Sequence, residues 1–268
     1  MDLMTPLTAG LVAFASKDMI AKLLGPTFDY LGGGLKSFVE KRHDNVMSIF
    51  AKTNKKLGDK LNDEGTVNPR VLKHILDEGS FCEDNLTQEY FAGLLASSRT
   101  AIEENIAGGD KSLPYLSIVE QMSATNILFH YLLYYSFVMK VFREEHINLF
   151  EESNITKYAV YFPITTALQI FGGSNLTVMM SEVCSHALKE KLINEYKFGK
   201  LPESETNSEV EASMLRVKPT LFGLTLFLKA NAAPDNILSS ASSEEKASWV
   251  DELDNQTSIA PLPIILAK

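Results

Sequence analysis

Between Glu120 and Lys140 the chain runs for 19 residues, 121–139, without a formal charge. At its centre, Ile127-Leu128-Phe129-His130-Tyr131-Leu132-Leu133-Tyr134-Tyr135 is apolar or aromatic on every side, so a helix made from it offers water no polar face. Such a helix must be buried, and the rest of the chain must surround it. The means are present: 45% of the 268 residues are hydrophobic and 22% charged, which is globular composition. That length suits one large domain or two small ones.

A second charge-free stretch, residues 158–181, is 24 residues long but is cut by Pro163 and by Gly172-Gly173. Neither stretch is a clean membrane span, which takes about 20 predominantly apolar residues. Gln121, Ser123, Thr125, Asn126 and His130 dilute the first, and Thr165, Thr166, Gln169 and Asn175 the second. The two together predict an apolar helical hairpin over residues 113–181, buried in the core. Its rival use is a hairpin sheltered in one packing and released in another. His130, inside the aromatic helix, reads as a hydrogen-bonded core residue rather than a general base.

The remainder is read as further helices. Leu35, Phe38, Val39, Val46, Ile49, Phe50 and Leu57 keep helical spacing without a proline, predicting one long helix between Leu35 and Leu61. Asn68-Pro69 is a cap followed by proline in the first turn. Gly79 closes that helix, and Asp84 or Asn85 caps the next, making a helical hairpin. Ala92, Gly93, Ala96, Ser97 and Ser98 keep one side of the second arm small enough for a neighbour to approach closely. Residues 199–213 read as an exposed polar loop. After Pro219 and a capping Thr220, the run Leu221–Leu228 fits either a helix or a buried strand. The fold class expected is mainly α: a multi-helix globular domain with a buried apolar hairpin and, as the alternative at residues 217–228, a short β element. Three parts are expected: an apolar amphipathic N-terminal segment (1–34), a helical domain (35–230) and a tail (231–268). Pro261 and Pro263 preclude a regular helix in that tail, which is expected to pack in a groove or on another subunit.

Two segments point outward from this core. Residues 3–16 carry no charge, and Leu7, Leu11, Phe14, Met19, Leu23 and Leu24 recur near the helical period, forming an amphipathic helix. It lacks the basic start of a secretory signal, since Asp2 stands there. It either docks on the domain or lies on a bilayer, and these six residues are the membrane-insertion candidates. Over residues 36–60, seven basic side chains face three acidic ones, a local +4 in a chain of net charge -9. Lys36, Lys41, Arg42, Lys52, Lys55 and Lys56 are the candidates for contact with an anionic surface, against the plainer reading of a solvated helix face. The overall negative charge argues against an electrostatic grip on nucleic acid.

Motifs for catalysis are sparse. No phosphate-loop, zinc-protease or nucleophile-elbow pattern occurs, and Cys82 and Cys184 form no C-x-x-C pair. Gly32-Gly33-Gly34 lacks the lysine-serine pair of a phosphate loop and reads as a helix break. Glu182 and His186 share a helix face while Cys184 points away, which is too few ligands for zinc. Asp77, Glu78, Glu83, Asp84, Glu103 and Glu104 suggest a nuclease cluster on paper, but they fall at helix ends where carboxylates serve as caps. The expectation is a protein that is no enzyme and holds no metal or cofactor.

Several segments nonetheless carry a resemblance. Leu24-Gly25-Pro26-Thr27-Phe28-Asp29-Tyr30-Leu31-Gly32-Gly33-Gly34-Leu35, Asn68-Pro69-Arg70-Val71-Leu72 with Ile75–Ser80, and Glu89–Thr100 resemble the abortive-infection alpha family of bacteria. Pro219-Thr220-Leu221-Phe222-Gly223 with Leu226-Phe227-Leu228 is similar to that family's closing motif. The resemblance implies a role in anti-phage defence and supplies no catalytic residues. Joined to the apolar helices, it gives an expectation: a cytoplasmic protein senses a phage-encoded protein, forms a homo-oligomer, moves to the inner membrane and permeabilises its lipid. The N-terminal helix is the preferred inserting element, with the 113–181 hairpin second. The rivals are a toxic enzyme such as a nuclease, and a non-enzymatic protein that traps a phage component.

Overall fold

The computed structural model describes residues 33–62, 65–101, 111–143, 149, 151–172, 176–200 and 213–267. Within them the chain is a mainly α domain carrying a four-stranded antiparallel sheet. Helix α1 (Gly33–Leu57) begins at the glycine run and ends where Gly58 takes φ +51°, after which a 3-10 turn covers Gly58–Asn62. The predicted long helix is therefore real but stops at Leu57, because the left-handed conformation of Gly58 breaks the hydrogen-bond ladder. A short strand β1 (Gly65–Val67) pairs with β2 (Arg99–Ala101), and α2 (Pro69–Asp77) and α3 (Asn85–Ser97) form the hairpin between them. Asn68 and Asp84 cap these helices through Arg70 N and Thr87 N, each at 2.8 Å, so both expected starts are present.

Helix α4 (Leu113–Gln121) leads into α5 (Ala124–Val141), whose Ser123 cap accepts from Asn126 N. Helix α5 is the axis of the molecule. Its residues from Phe129 to Val138 are all buried, with Tyr134, Tyr135, Phe137 and Val138 fully so. Helices α3 and α9 (Leu221–Ala230), together with α8 (Leu176–Lys189), pack around it.

The second charge-free stretch is divided where its breakers stand. A short α6 (Glu152–Ile155) precedes it, Ala159–Pro163 forms β3, Ile164–Phe171 forms α7 after the proline, and Gly172 at φ +65° ends that helix before α8. Helix α8 packs on α5 by one side only, with Met180, Val183, Cys184 and Ala187 buried and Val178, Glu182 and Leu188 exposed, and a strand and two short helices lie between the two in the chain. The sheet runs β4 (Ile193–Lys200), β5 (Ser213–Pro219), β3, β6 (Ile265–Ala267). Of the two readings left open after residue 217, β5 stops at Pro219 and Leu221 onward is helical. Pro219 is the last strand residue, and Thr220 Oγ1 then accepts from Gly223 N at 3.0 Å.

Residues 231–267 are joined to the domain rather than trailing from it. Helix α10 (Ser243–Gln256) opens on a capping box of Ser242 and Glu245. Its Trp249 ring meets Phe142 beyond the end of α5, 6.0 Å between centroids, and Arg143 bridges to Asp251 at 2.6 Å. Leu262 N donates to Ser136 Oγ at 2.8 Å, Lys140 donates to the Ile264 carbonyl, and β6 pairs with β3 along Ala159–Tyr161.

The small side of α3 is used as its composition suggests. A Cβ at Gly93 would lie 1.8 Å from the carbonyl oxygen of Ala230 in α9, a backbone atom that cannot step aside. Ser97 Oγ, one turn on, donates to the Lys229 carbonyl at 2.9 Å. Gly93→Ala should therefore cost about 3 kcal/mol through overpacking. Urea denaturation of the purified variant checks this, and a loss under about 0.5 kcal/mol, the level of an ordinary surface change, would refute the close approach.

Candidate functional site

The first cluster of polar side chains is internal. Tyr90 of α3 donates its hydroxyl to His130 Nδ1 at 2.6 Å, and His130 Nε2 donates to the Gly223 carbonyl at 3.1 Å. Because a carbonyl only accepts, the proton of the neutral ring sits on Nε2. One turn along, Tyr134 donates to the Leu192 carbonyl and accepts from Thr220 N at 3.0 Å. Thr220 Oγ1 also donates to the Lys191 carbonyl at 2.7 Å. Gly223 is glycine for space: a Cβ there would stand 2.3 Å from both Leu192 O and Tyr134 Oη. These partners fulfil the expectation for His130 as a bonded core residue, and it is buried.

Burial pushes the His130 imidazolium down to about 3, with the Gly223 carbonyl acting weakly the other way. Burial also raises the phenols of Tyr90 and Tyr134 above the usual range. The folded protein keeps His130 neutral while the unfolded chain protonates it near pH 6.5. Stability from this residue is therefore intact above about pH 6.5 and falls as pH drops toward 3. Between pH 7 and pH 5 the loss is about 2 kcal/mol. Comparing chemical denaturation of the native chain and His130→Gln at those two pH values tests this: the variant is less stable at pH 7, and its pH dependence is flatter by that amount. Equal slopes would refute it.

The candidates on α1 are drawn largely into contacts with neighbouring elements. Lys52 and Lys56 converge on Glu89 of α3 at 3.2 and 3.0 Å, with side chains only 16% and 10% exposed. Burial pushes the Glu89 carboxyl up, and the two ammonium groups outweigh it, holding it below its usual range. Lys41 pairs with Glu83. Arg42 donates to Ser80 Oγ from Nε and Nη2 at 3.0 and 2.8 Å, and its guanidinium lies 3.9 Å from the Phe81 ring centroid. Lys55 is exposed. Lys36 lies in α1, with its side chain outside the described residues, and Leu7, Leu11, Phe14, Met19, Leu23 and Leu24 lie outside them altogether.

The acidic residues are dispersed as the helix-end reading expects. Asp84 caps α3, Asp77 meets Lys73 at 2.7 Å, and Glu83 faces Lys41; Glu103 and Glu104 lie outside the described residues. Among the described residues no three metal-ligating side chains gather. On α8, Glu182 is exposed and Cys184 buried. Burial raises the Cys184 thiol to about 12 and, aided by Glu78 and Asp84, the Cys82 thiol to about 11, so neither is an activated nucleophile. No helix of the described residues is long and apolar enough to cross a membrane.

A charged group that the sequence reading passed over lies on the outer half of the sheet. Glu195 of β4 meets Lys197 at 2.7 Å, Arg216 of β5 at 3.1 Å and Lys218 at 3.9 Å. The bonded Lys197 holds the Glu195 carboxyl below its usual range, and Arg216 and Lys218 add to this. Arg216 Nε also donates to the Tyr161 hydroxyl of β3 at 3.1 Å. The available signal was alternation: Tyr196 and Phe198 with Leu215 and Val217 face the core, while Glu195, Lys197, Arg216 and Lys218 fall on the other face beside the small apolar cluster of Ala159, Tyr161 and Met214.

No family model, no curated protein and no solved structure matches this chain.

Proposed function

We propose that this chain is a non-enzymatic effector of anti-phage defence: triggered by a phage-encoded protein, it assembles with copies of itself and permeabilises the inner membrane. The observation that carries the reading is the way the segments behind the family resemblance pack together. Asn68–Ser80 supplies α2 and the 3-10 turn Gly79–Phe81, Glu89–Thr100 supplies the close-packing side of α3, and Pro219–Leu228 supplies the cap and body of α9. Gly93 against Ala230, and Gly223 against Tyr134, join α3 to α9 and α9 to α5. Such motifs specify a scaffold, and the action is then assigned to a segment the scaffold presents.

The inserting element in this proposal is the N-terminal segment containing Leu7, Leu11, Phe14, Met19, Leu23 and Leu24. The alternative hairpin of residues 113–181 contains α5, and releasing it would break the contacts of His130, Tyr134 and Ser136 with four other parts of the chain. Moving the N-terminal segment breaks none of these bonds.

The test is a phage challenge of cells carrying the full chain or a deletion of residues 2–20, with membrane potential and survival followed together. Infected cells with the full chain should depolarise before phage mature. The deletion should keep its circular dichroism and its binding of the phage component while losing toxicity. Intact membranes in dying cells, or full toxicity of the deletion, would overturn the proposal.

A further inference from the structure

The sheet has two edges. One is β6, three residues long, and the other is β4, eight residues long, which among the described residues pairs with β5 alone. An edge strand keeps a row of backbone N–H and C=O groups unpaired along its outer side and can template another strand. Strand β4 is accessible: Asn194, Lys197 and Gly199 are exposed, and a Cβ placed on Gly199 would meet no atom within 4 Å. Tyr196 and Phe198, which pack on the core, are only partly covered.

The order of side chains in β4 decides what this edge accepts. Glu195-Tyr196-Lys197 is its own complement when a second β4 runs antiparallel to it about Tyr196. Each Glu195 then stands opposite the partner's Lys197 and Tyr196 opposite the partner's Tyr196, so two opposite-charge pairs flank an aromatic pair. Paired residues lie on one face, which keeps the core-facing Tyr196 and Phe198 of both copies on the same side of one continuous sheet. Other registers are penalised. Centring on Glu195 or on Lys197 sets like charges face to face, and a slip of one residue sets core-facing side chains against outward ones. Arg216 and Lys218 keep their contacts with Glu195, while Lys197, 69% exposed, reaches across to the partner.

We propose that two copies of this chain join through their β4 edges, antiparallel and centred on Tyr196, to form a two-fold dimer. The pairing gives a surface to the self-association within the proposed function and rests on that reading for its use in the cell. An isologous contact of this kind closes at two copies, so the dimer is the unit from which a larger membrane assembly is built. The irregularity between Ile193 and Glu195 ends the regular stretch, so the paired segment is short and the association is a concentration-dependent equilibrium.

Sedimentation equilibrium of the full chain over a concentration series tests this. The native chain should show a monomer–dimer equilibrium. Lys197→Glu sets acidic groups opposite each other and Glu195→Lys does the same with basic ones, so each should self-associate about tenfold more weakly. An equimolar mixture of the two variants should recover the native affinity, since each supplies the charge the other needs. Hydrogen exchange at residues 195–198 should slow as the native chain is concentrated and stay unchanged in Lys197→Glu. A native chain that remains monomeric throughout, or undiminished dimers of natively folded Lys197→Glu, would overturn the pairing. Dimers through β4 in cells whose membranes stay polarised during infection would overturn permeabilisation and leave the pairing standing. Depolarisation by a native chain that remains monomeric would do the reverse.

Discussion

Everything in this fold is arranged around the need to bury α5 on all sides. A helix with no polar face brings its few polar atoms into a dry interior, where each must find a partner or cost free energy. His130 finds Tyr90 and the Gly223 carbonyl, Tyr134 finds Leu192 and Thr220, Tyr135 finds Asp254, and Ser136 finds Leu262 N. Those partners come from α3, the turn before β4, the start of α9, α10 and the segment before β6. The hydrogen bonds therefore select which elements surround α5 as well as satisfying it. Apolar packing alone tolerates several arrangements, while these directional contacts admit far fewer.

The elements most legible in the sequence are those whose signals are local. Asn68-Pro69, Asp84, Thr220 and the small side of α3 each act over a turn or two of chain, and each stands where its chemistry indicates. Dividing residues 158–181 into a strand and two helices depends on which neighbours are available. The short apolar run at 159–163 becomes β3 because β5 and β6 lie beside it, and nothing within the run announces those partners. The same holds for electrostatics. Lys52 and Lys56 read as an open basic face until α3 brings Glu89 beneath them, whereas Lys197, Arg216 and Lys218 look scattered until strand register gathers them. Charge counted along the chain and charge gathered in space are different quantities, and only the second acts on a partner.

The attachment of the C-terminal segment to α5 has a consequence for how the protein is made. Ser136 and Leu262 are 126 residues apart, and Lys140 and Ile264 are 124 apart. Until residues near 260 have left the ribosome, one flank of the buried helix α5 lacks the cover that Leu262 and Ile264 give it. For that interval the nascent chain resembles a client of the chaperone system more than a folding domain. A premature stop in this region would then produce a chain prone to self-association, so the segment that completes the sheet also acts as a late quality check on the polypeptide.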